Sequence, residues 1–304
     1  FKQKTAYEIP KRDWSSDVCS SDLMAKATSL VEYDNEVEEL VFLALGGLGE
    51  VGMNAYLYGY GSIQNREWLL VDLGITFPEG EDDPGVDVIL PDLRFLESHR
   101  DQLKGLIITH AHEDHIGAVL ELWPRLKCKI YATPFTAGML KSKASEFGYS
   151  HKIPIIVKPL DSRFTVGCFD IELLSVAHSI PETSSLILRT KLGSIYHTAD
   201  WKRDNEPYIG KTMDEARLKS LADEGILAVV SDSTNAMREG ASPNEKDVAK
   251  TLSQVIEKAP YRVLVTSFSS NVARIKACWE AAQRTNRRLI VAGRALHKIG
   301  RAHV

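Results

Sequence analysis

Residues Thr109–Ala118, THAHEDHIGA, place His110, His112, Asp114 and His115 within six consecutive positions. Ligand-type side chains crowd together in this way around metal ions, so the fold must hold the stretch where a rigid backbone makes them converge. The run before it, Gly105–Thr109, is apolar and β-branched and predicts a buried strand, while Ile116–Leu122 opens an amphipathic helix. The cluster therefore sits on a strand-to-helix turn. Side chains alternate along an extended segment, so His110 and His112 point the same way and can share one ion, whereas Asp114 and His115 lie further round and can reach another. Imidazole nitrogens and carboxylate oxygens suit zinc, or manganese where oxygen ligands and water dominate. A lone histidine here would read as a helix cap or a solvated loop residue; HxHxDH after a strand reads as a metal site.

More ligands must come from elsewhere. His178 follows the alternating strand predicted over Phe169–Ala177, and Asp200 follows Ser194–Ala199, so both stand where strands deliver side chains to one rim. The plain alternatives are a hydrogen-bonded histidine at a strand end and the cap of a following turn. Asp72 closes a strand over Trp68–Val71; it is either a ligand or a carboxylate that orients a ligating histidine.

Gly47, Gly49 and Gly52 spell GxGxxG after the strand predicted over Leu40–Leu45, and Asp72 lies at the spacing of a dinucleotide-binding acidic residue. A dinucleotide turn must open a helix. Met53–Ser62 instead alternates and carries Gly59 and Gly61, which predicts the second strand of a hairpin.

The composition, 44% hydrophobic and 26% charged, is that of a soluble globular chain with room for one large or two medium domains. No apolar run approaches the ~18 residues of a membrane span, and no secretory signal is evident. Cys19, Cys128, Cys168 and Cys278 form no CxxC pair, so reduced thiols in a cytoplasm are expected. A net charge of −4 argues against a generally basic nucleic-acid binder. Lys141, Lys143, Lys152, Arg189, Lys202 and Arg203 line a groove only if the fold gathers them; otherwise they are scattered surface.

HAHEDH, with VDLG before it, AHSIPET around His178 and HTADWKRD around Asp200, resembles the metallo-β-lactamase superfamily. Within it, GGLGEVGMN, DLGITFPEG, SIPET and SDSTNA resemble the ribonuclease J family, bacterial metallo-nucleases carrying a β-CASP domain, over about Glu39–His297. The resemblance implies that His110, His112 and His178 bind one zinc, that Asp114, His115 and a bridging Asp200 bind the other, and that Asp72 supports them. The implied activity is 5′-to-3′ exoribonuclease and endoribonuclease action on single-stranded RNA in rRNA processing and mRNA decay. Its implied chemistry is attack on phosphorus by a hydroxide generated at two zincs, with manganese as the other candidate. Asp232 matches the acidic first motif of the β-CASP domain, which the family places near the active site. Ser267, Ser269, Ser270 and Asn271 form a turn that can offer hydroxyls and helix amides to a phosphate, or simply cap a helix.

The expected architecture is α/β, an incomplete αββα sandwich over 24–231 followed by the start of an α/β β-CASP domain over 232–298. A helix is predicted over Asp247–Lys258 and a strand over Arg262–Thr266, with Ser269 or Ser270 near the cap of a further helix. Residues 1–23 and 299–304 resemble adapter-derived tails, and native sequence is expected from Met24. The resemblance also implies a last histidine ligand beyond the β-CASP insertion, for which His297 and His303 are poor substitutes, and homo-oligomers of the intact protein. The other readings are a metallo-hydrolase of lactones, thioesters or β-lactams, and a catalytically impaired RNA-binding fragment.

Overall fold

The apolar alternation beginning at Leu40 becomes a hairpin in the computed structural model, which describes residues 36–78, 85–149, 153–293 and 296. The expected tails, Cys19, Lys152, His297 and His303 lie outside the described residues. Strand β1, Glu39–Gly46, pairs antiparallel with β2, Ala55–Gly61. Gly47, Gly49 and Gly52 occupy the turn between them with φ of 81°, 74° and 107°, a region glycine enters without steric cost. The GxGxxG spacing thus belongs to a hairpin, as its alternating sequel predicts.

Strand β3, Glu67–Val71, lies antiparallel to β2, and three parallel strands follow: β4, Leu103–Ile107, β5, Ile130–Ala132, and β6, Ile155–Val157. Parallel neighbours require crossovers, which here are helical: α1, Arg94–Ser98, α2, Glu113–Ile116, α3, Val119–Leu126, and α4, Pro134–Glu146. The helix expected from Ile116 is in two pieces. The break at Gly117 and Ala118 is tied down by the Ala118 N–H, which donates to Leu73 O at 3.1 Å.

A second sheet contains β7, Arg163–Val166, β8, Phe169–Ser175, β9, Ser184–Thr190, and β10, Gly193–His197, all antiparallel neighbours. Helix α5, Glu215–Glu224, then leads to β11, Ala228–Val230, parallel to β10. Among the described residues the sheets run β1-β2-β3-β4-β5-β6 and β11-β10-β9-β8-β7.

Period-two alternation assigns each strand residue to a layer. Trp68 and Leu70 pack with Leu57, Leu106 and Ile130 against the helices, while Leu69 and Val71 turn with Tyr58, Ile107 and Tyr131 toward Phe169, Ile171, Leu186 and Leu188 of the second sheet. On its far side Leu174 and Ile187 meet Leu221 of α5. The order is helix, sheet, sheet, helix, the αββα arrangement expected. Each fully buried Leu, Ile or Phe contributes roughly 1.5–3 kcal/mol, so the inter-sheet layer rigidly fixes the strand ends that carry the site.

Helices α6, Glu245–Lys258, and α7, Val272–Arg284, pack on one another after β11. The strand predicted over Arg262–Thr266 does not form. A strand exists only with a ladder partner, and none of the described residues pairs with this segment; Leu264 is 93% exposed. Buried Asp204 accepts the Glu245 N–H at 2.9 Å and so anchors α6 to the loop that follows Asp200. Cys128, Cys168 and Cys278 are unpaired, and no helix among the described residues is long and apolar enough to cross a membrane.

Candidate metal centre

The C-terminal ends of β3, β4, β8 and β10 meet at one rim. Asp72 leaves β3, Thr109 and His110 leave β4, His178 follows the Ala177–Lys202 bridge beyond β8, and Asp200 follows β10. His112 stands at the N-cap of α2 in extended conformation, so Asp114 and His115 fall in its first turn. Backbone bonds stitch this turn to its neighbours: Asn54 N donates to Asp114 O at 2.9 Å and Leu73 N to His115 O at 2.8 Å. Gly74 permits the approach, since a Cβ there would lie 1.6 Å from Asp114 O.

Two donor groups result. His110 Nε2 and His178 Nε2 each lie 3.1 Å from His112 Nδ1, and Asp200 Oδ2 lies 3.9 Å from His110 Nε2 and 3.6 Å from His178 Nε2. His115 Nε2 lies 3.4 Å from Asp114 Oδ2 and 3.4 Å from Asp200 Oδ1. Within each group the ligand atoms lie within 4.8 Å of one another, and Asp200 belongs to both through different oxygens.

Asp72 stands behind this rim. Its Oδ1 accepts from Thr109 N at 2.8 Å; its Oδ2 accepts from the Thr109 hydroxyl at 2.8 Å and from His115 Nδ1 at 2.7 Å. The Thr109 hydroxyl has one proton to give, so it accepts from His110 Nδ1 at 3.0 Å. One buried carboxylate thereby fixes the ring orientations of His110 and His115, engaging the Nδ1 side of each and turning both Nε2 atoms into the site.

The electrostatics divide the histidines. Burial holds His110 well below the usual histidine range and lowers His112 to about 4; burial also lowers His178. Burial opposes charge on His115 as well, but the carboxylates of Asp72, Asp114 and Asp200 outweigh it and raise that histidine well above its usual range. Asp200, whose burial works the other way, is brought down to about 2 by His115 and the neighbouring histidines. Three imidazole nitrogens and a carboxylate oxygen that lie within 4.8 Å of one another form a set that a single cation can bridge. That donor set fits a divalent metal, and the cluster is a metal-binding one.

Beside it lies a cleft of about 980 Å³, lined by His112, Asp114, Thr76, Phe77, Lys143, Phe268, Ser269 and Ser270 among others. Ser269 and Ser270 reach the cleft, whereas Ser267 lies on another face and the Asn271 side chain caps α7 by accepting from Arg274 N at 2.9 Å. The first amides of α7 are also engaged: Val272 N donates to Ser179 O at 3.1 Å and Ala273 N approaches the same oxygen at 3.5 Å. Asp232 lies across the second donor group, sharing a 430 Å³ pocket with Asp114, His115 and Asp200, and its Oδ1 accepts from Thr234 N at 2.8 Å.

The basic residues are dispersed. Lys143 enters the cleft beside Glu113, Arg189 pairs with Glu172 and Glu224, Lys202 with Asp204 and Glu245, and Arg203 with Glu215. Sequence reasoning missed Thr109, Asn54 and Phe268. Thr109 stands inside the conspicuous motif, but its role depends on a carboxylate distant in sequence.

Residues 48–238 match the family model of the metallo-beta-lactamase superfamily, and residues 260–302 match that of the ribonuclease J beta-CASP domain. The chain is 50% identical over 262 residues to ribonuclease J of Sinorhizobium meliloti, covering 86% of this chain and 46% of that protein. Ribonuclease J of Thermus thermophilus is 37% identical over 272 residues, with 87% and 46% covered. The chain thus spans less than half the length of these relatives. Among solved structures, a protein of unknown function from Enterococcus faecalis V583 superposes with a TM-score of 0.56 at 15% identity, over 81% of this chain and 63% of that one, a likeness of fold.

Proposed function

The chain belongs to the metallo-β-lactamase superfamily, and on that premise we propose that it carries the metal centre of a ribonuclease J-like enzyme that hydrolyses RNA phosphodiesters. The observation that carries this reading is the sharing of Asp200 between two donor groups beside an open cleft, together with the similarity to ribonuclease J on both sides of residue 240.

In this reading His110, His112 and His178 hold one divalent ion, Asp114 and His115 hold a second, and Asp200 serves both. Zinc is the metal best matched to these donors, with manganese the other candidate. Bound there, the ions supply a nucleophile from water at neutral pH and offset charge that builds on the phosphate. Asp72 and Thr109 keep the imidazoles in their ligating orientations. Single-stranded RNA enters the cleft, where Ser269, Ser270 and Lys143 hydrogen-bond phosphate oxygens and the exposed rings of Phe77 and Phe268 accept bases by stacking. Residues from about 232 onward form the β-CASP part, with Asp232 at the junction. The intact enzyme acts in the cytoplasm, as exonuclease and endonuclease, in RNA maturation and decay, and as a homo-oligomer.

The test pairs elemental analysis with cleavage of 5′-labelled single-stranded RNA bearing either a monophosphate or a hydroxyl. Close to two ions per chain with metal-dependent RNA cleavage is the expected result. Hydrolysis of a chromogenic β-lactam without RNA cleavage would replace the reading with that of a small-molecule hydrolase.

A further inference from the structure

A side chain outside the six candidate ligands reaches into the second donor group. Asn54 Nδ2 lies 3.3 Å from Asp114 Oδ2 and 3.1 Å from His115 Nε2. The backbone of Asn54 is fixed on both sides, its N–H donating to Asp114 O and its carbonyl accepting from Gly74 N, each at 2.9 Å. Its Oδ1 lies 2.8 Å from the Tyr56 hydroxyl, which also stands 3.2 Å from Gly47 O. A tyrosine hydroxyl has a single proton, and the shorter contact takes it. Tyr56 therefore donates to Asn54 Oδ1 and turns the amide nitrogen toward the ligands.

Tyr56 is itself held in place. Its ring centroid is 5.2 Å from that of buried His197 and 6.1 Å from that of Phe42. The turn above it must be glycine at position 47, because a Cβ there would come 2.4 Å from Tyr56 Oη and 2.7 Å from Asn54 Oδ1. His197, Tyr56 and Asn54 thus form a supported column that ends on Asp114.

We propose that Asn54 is a positioning residue for the second metal group: its amide donates to Asp114 Oδ2 and sets the plane of that carboxylate, while Tyr56 sets the orientation of the amide. The inference rests on the two-ion reading of the site. Its physical basis is that Asp114 and Asp200 repel one another across His115, and a fixed neutral donor on Asp114 offsets part of that repulsion without adding charge. The opposite orientation, with Asn54 Oδ1 as a ligand, has a geometric argument too. Ligand atoms around a tetrahedral ion with bonds of ~2.1 Å stand about 3.4 Å apart, close to the contacts Asn54 makes. The two orientations give opposite responses to a carboxylate at position 54.

The experiment titrates cobalt(II) into the metal-free full chain, wild type and variants, following visible absorption bands and counting ions by elemental analysis, with circular dichroism to verify folding. Two binding steps are expected for wild type. Asn54→Ala should retain the first and weaken the second roughly 10- to 100-fold, the usual effect of losing a partner that orients a ligand. Tyr56→Phe keeps the ring packing and should weaken the same step less, which tests the hydrogen bond even if Asn54→Ala folds poorly. Asn54→Asp should also weaken it, since an acceptor would face Asp114. A second step as tight as or tighter than wild type in Asn54→Asp, or unchanged in both Asn54→Ala and Tyr56→Phe, overturns the positioning role and leaves the two-ion reading intact. A wild-type chain that takes a single ion overturns both.

Discussion

Asp72 Oδ2 accepts a hydrogen bond from His115 Nδ1 at 2.7 Å, on the side of the imidazole opposite Nε2, which faces Asp114 and Asp200. Both residues are buried, Asp72 completely, so no water substitutes for either partner. The relationship converts a carboxylate that belongs to neither donor group into a determinant of how one of them binds.

Asp72→Asn follows directly. The side chain keeps its shape but has one acceptor oxygen where Thr109 N, the Thr109 hydroxyl and His115 Nδ1 require two. One buried donor is left unsatisfied, at a cost of about 1–3 kcal/mol, and His115 loses the carboxylate that fixes its ring orientation. Metal affinity should fall roughly 10- to 100-fold with a lower Tm in the metal-free protein. Isothermal titration with zinc and thermal melts with and without metal check both effects; unchanged affinity would remove Asp72 from the site.

His112→Ala removes the imidazole that the other two histidines of its group both contact. Ion content should drop by at least one per chain, and RNA cleavage should be abolished. Saturating zinc at about 100 times its Kd raises the stability of a binding protein by about 2.7 kcal/mol. Wild type should therefore melt later with zinc, and His112→Ala should shift much less. Equal metal content in the two proteins would refute the assignment.

What the sequence made legible follows from the range of each contact. HxHxDH is local, so its residues and their strand-to-helix setting could be read directly, and His178 and Asp200 could be anticipated because alternating strands end at them. Period-two patterning likewise separates Leu69 from Leu70 and so implies two stacked sheets. The support around the cluster joins residues far apart in the chain: Thr109 is 37 positions from Asp72 and Asn54 is 60 from Asp114. No pattern announces such pairings. The Arg262–Thr266 expectation failed for a related reason, since a short apolar β-branched run does not supply the neighbour that makes it a strand. At the Ser267–Asn271 turn, Ser179 O accepts from the helix that follows, another pairing of distant residues that the sequence does not announce.

Away from the metal rim, Glu172 on the outer face of the second sheet accepts from Arg217 Nε and Nη2 at 2.7 and 2.8 Å and from Arg189 Nη2 at 2.7 Å. These guanidinium bonds, Arg217 foremost, lower its carboxyl to about 2, against ~4.3 in an unfolded chain. A depressed folded-state value means the stabilisation is complete above pH ~4.3 and is lost as the pH falls toward 2. The partners are partly solvated, so the loss is about 2 kcal/mol rather than the full shift. Urea denaturation of metal-free protein between pH 6 and 2.5 should show a steeper acid decline in wild type than in Glu172→Gln. Parallel curves would mean the ion pairs contribute nothing to pH dependence.

Lys143 and Arg189 offer a paired test of the proposed RNA path. Lys143 lines the cleft beside the donor groups, and its ion pair with Glu113 involves a half-exposed acid that a phosphate can displace. Arg189 is only 13% exposed and engaged with Glu172 and Glu224 on the far side of the second sheet. Each phosphate contact contributes about −0.7 to the slope of log affinity against log salt for a single strand. Lys143→Ala should therefore weaken binding of a single-stranded RNA at low salt and reduce that slope by about one contact, with metal content unchanged. Arg189→Ala should leave the slope alone and lower stability instead, because it strips a partner from a half-buried Glu172. Fluorescence anisotropy at several salt concentrations separates the two. If Arg189→Ala and not Lys143→Ala changes the slope, the RNA path runs over the second sheet and the cleft beside Ser269 and Ser270 is not its route.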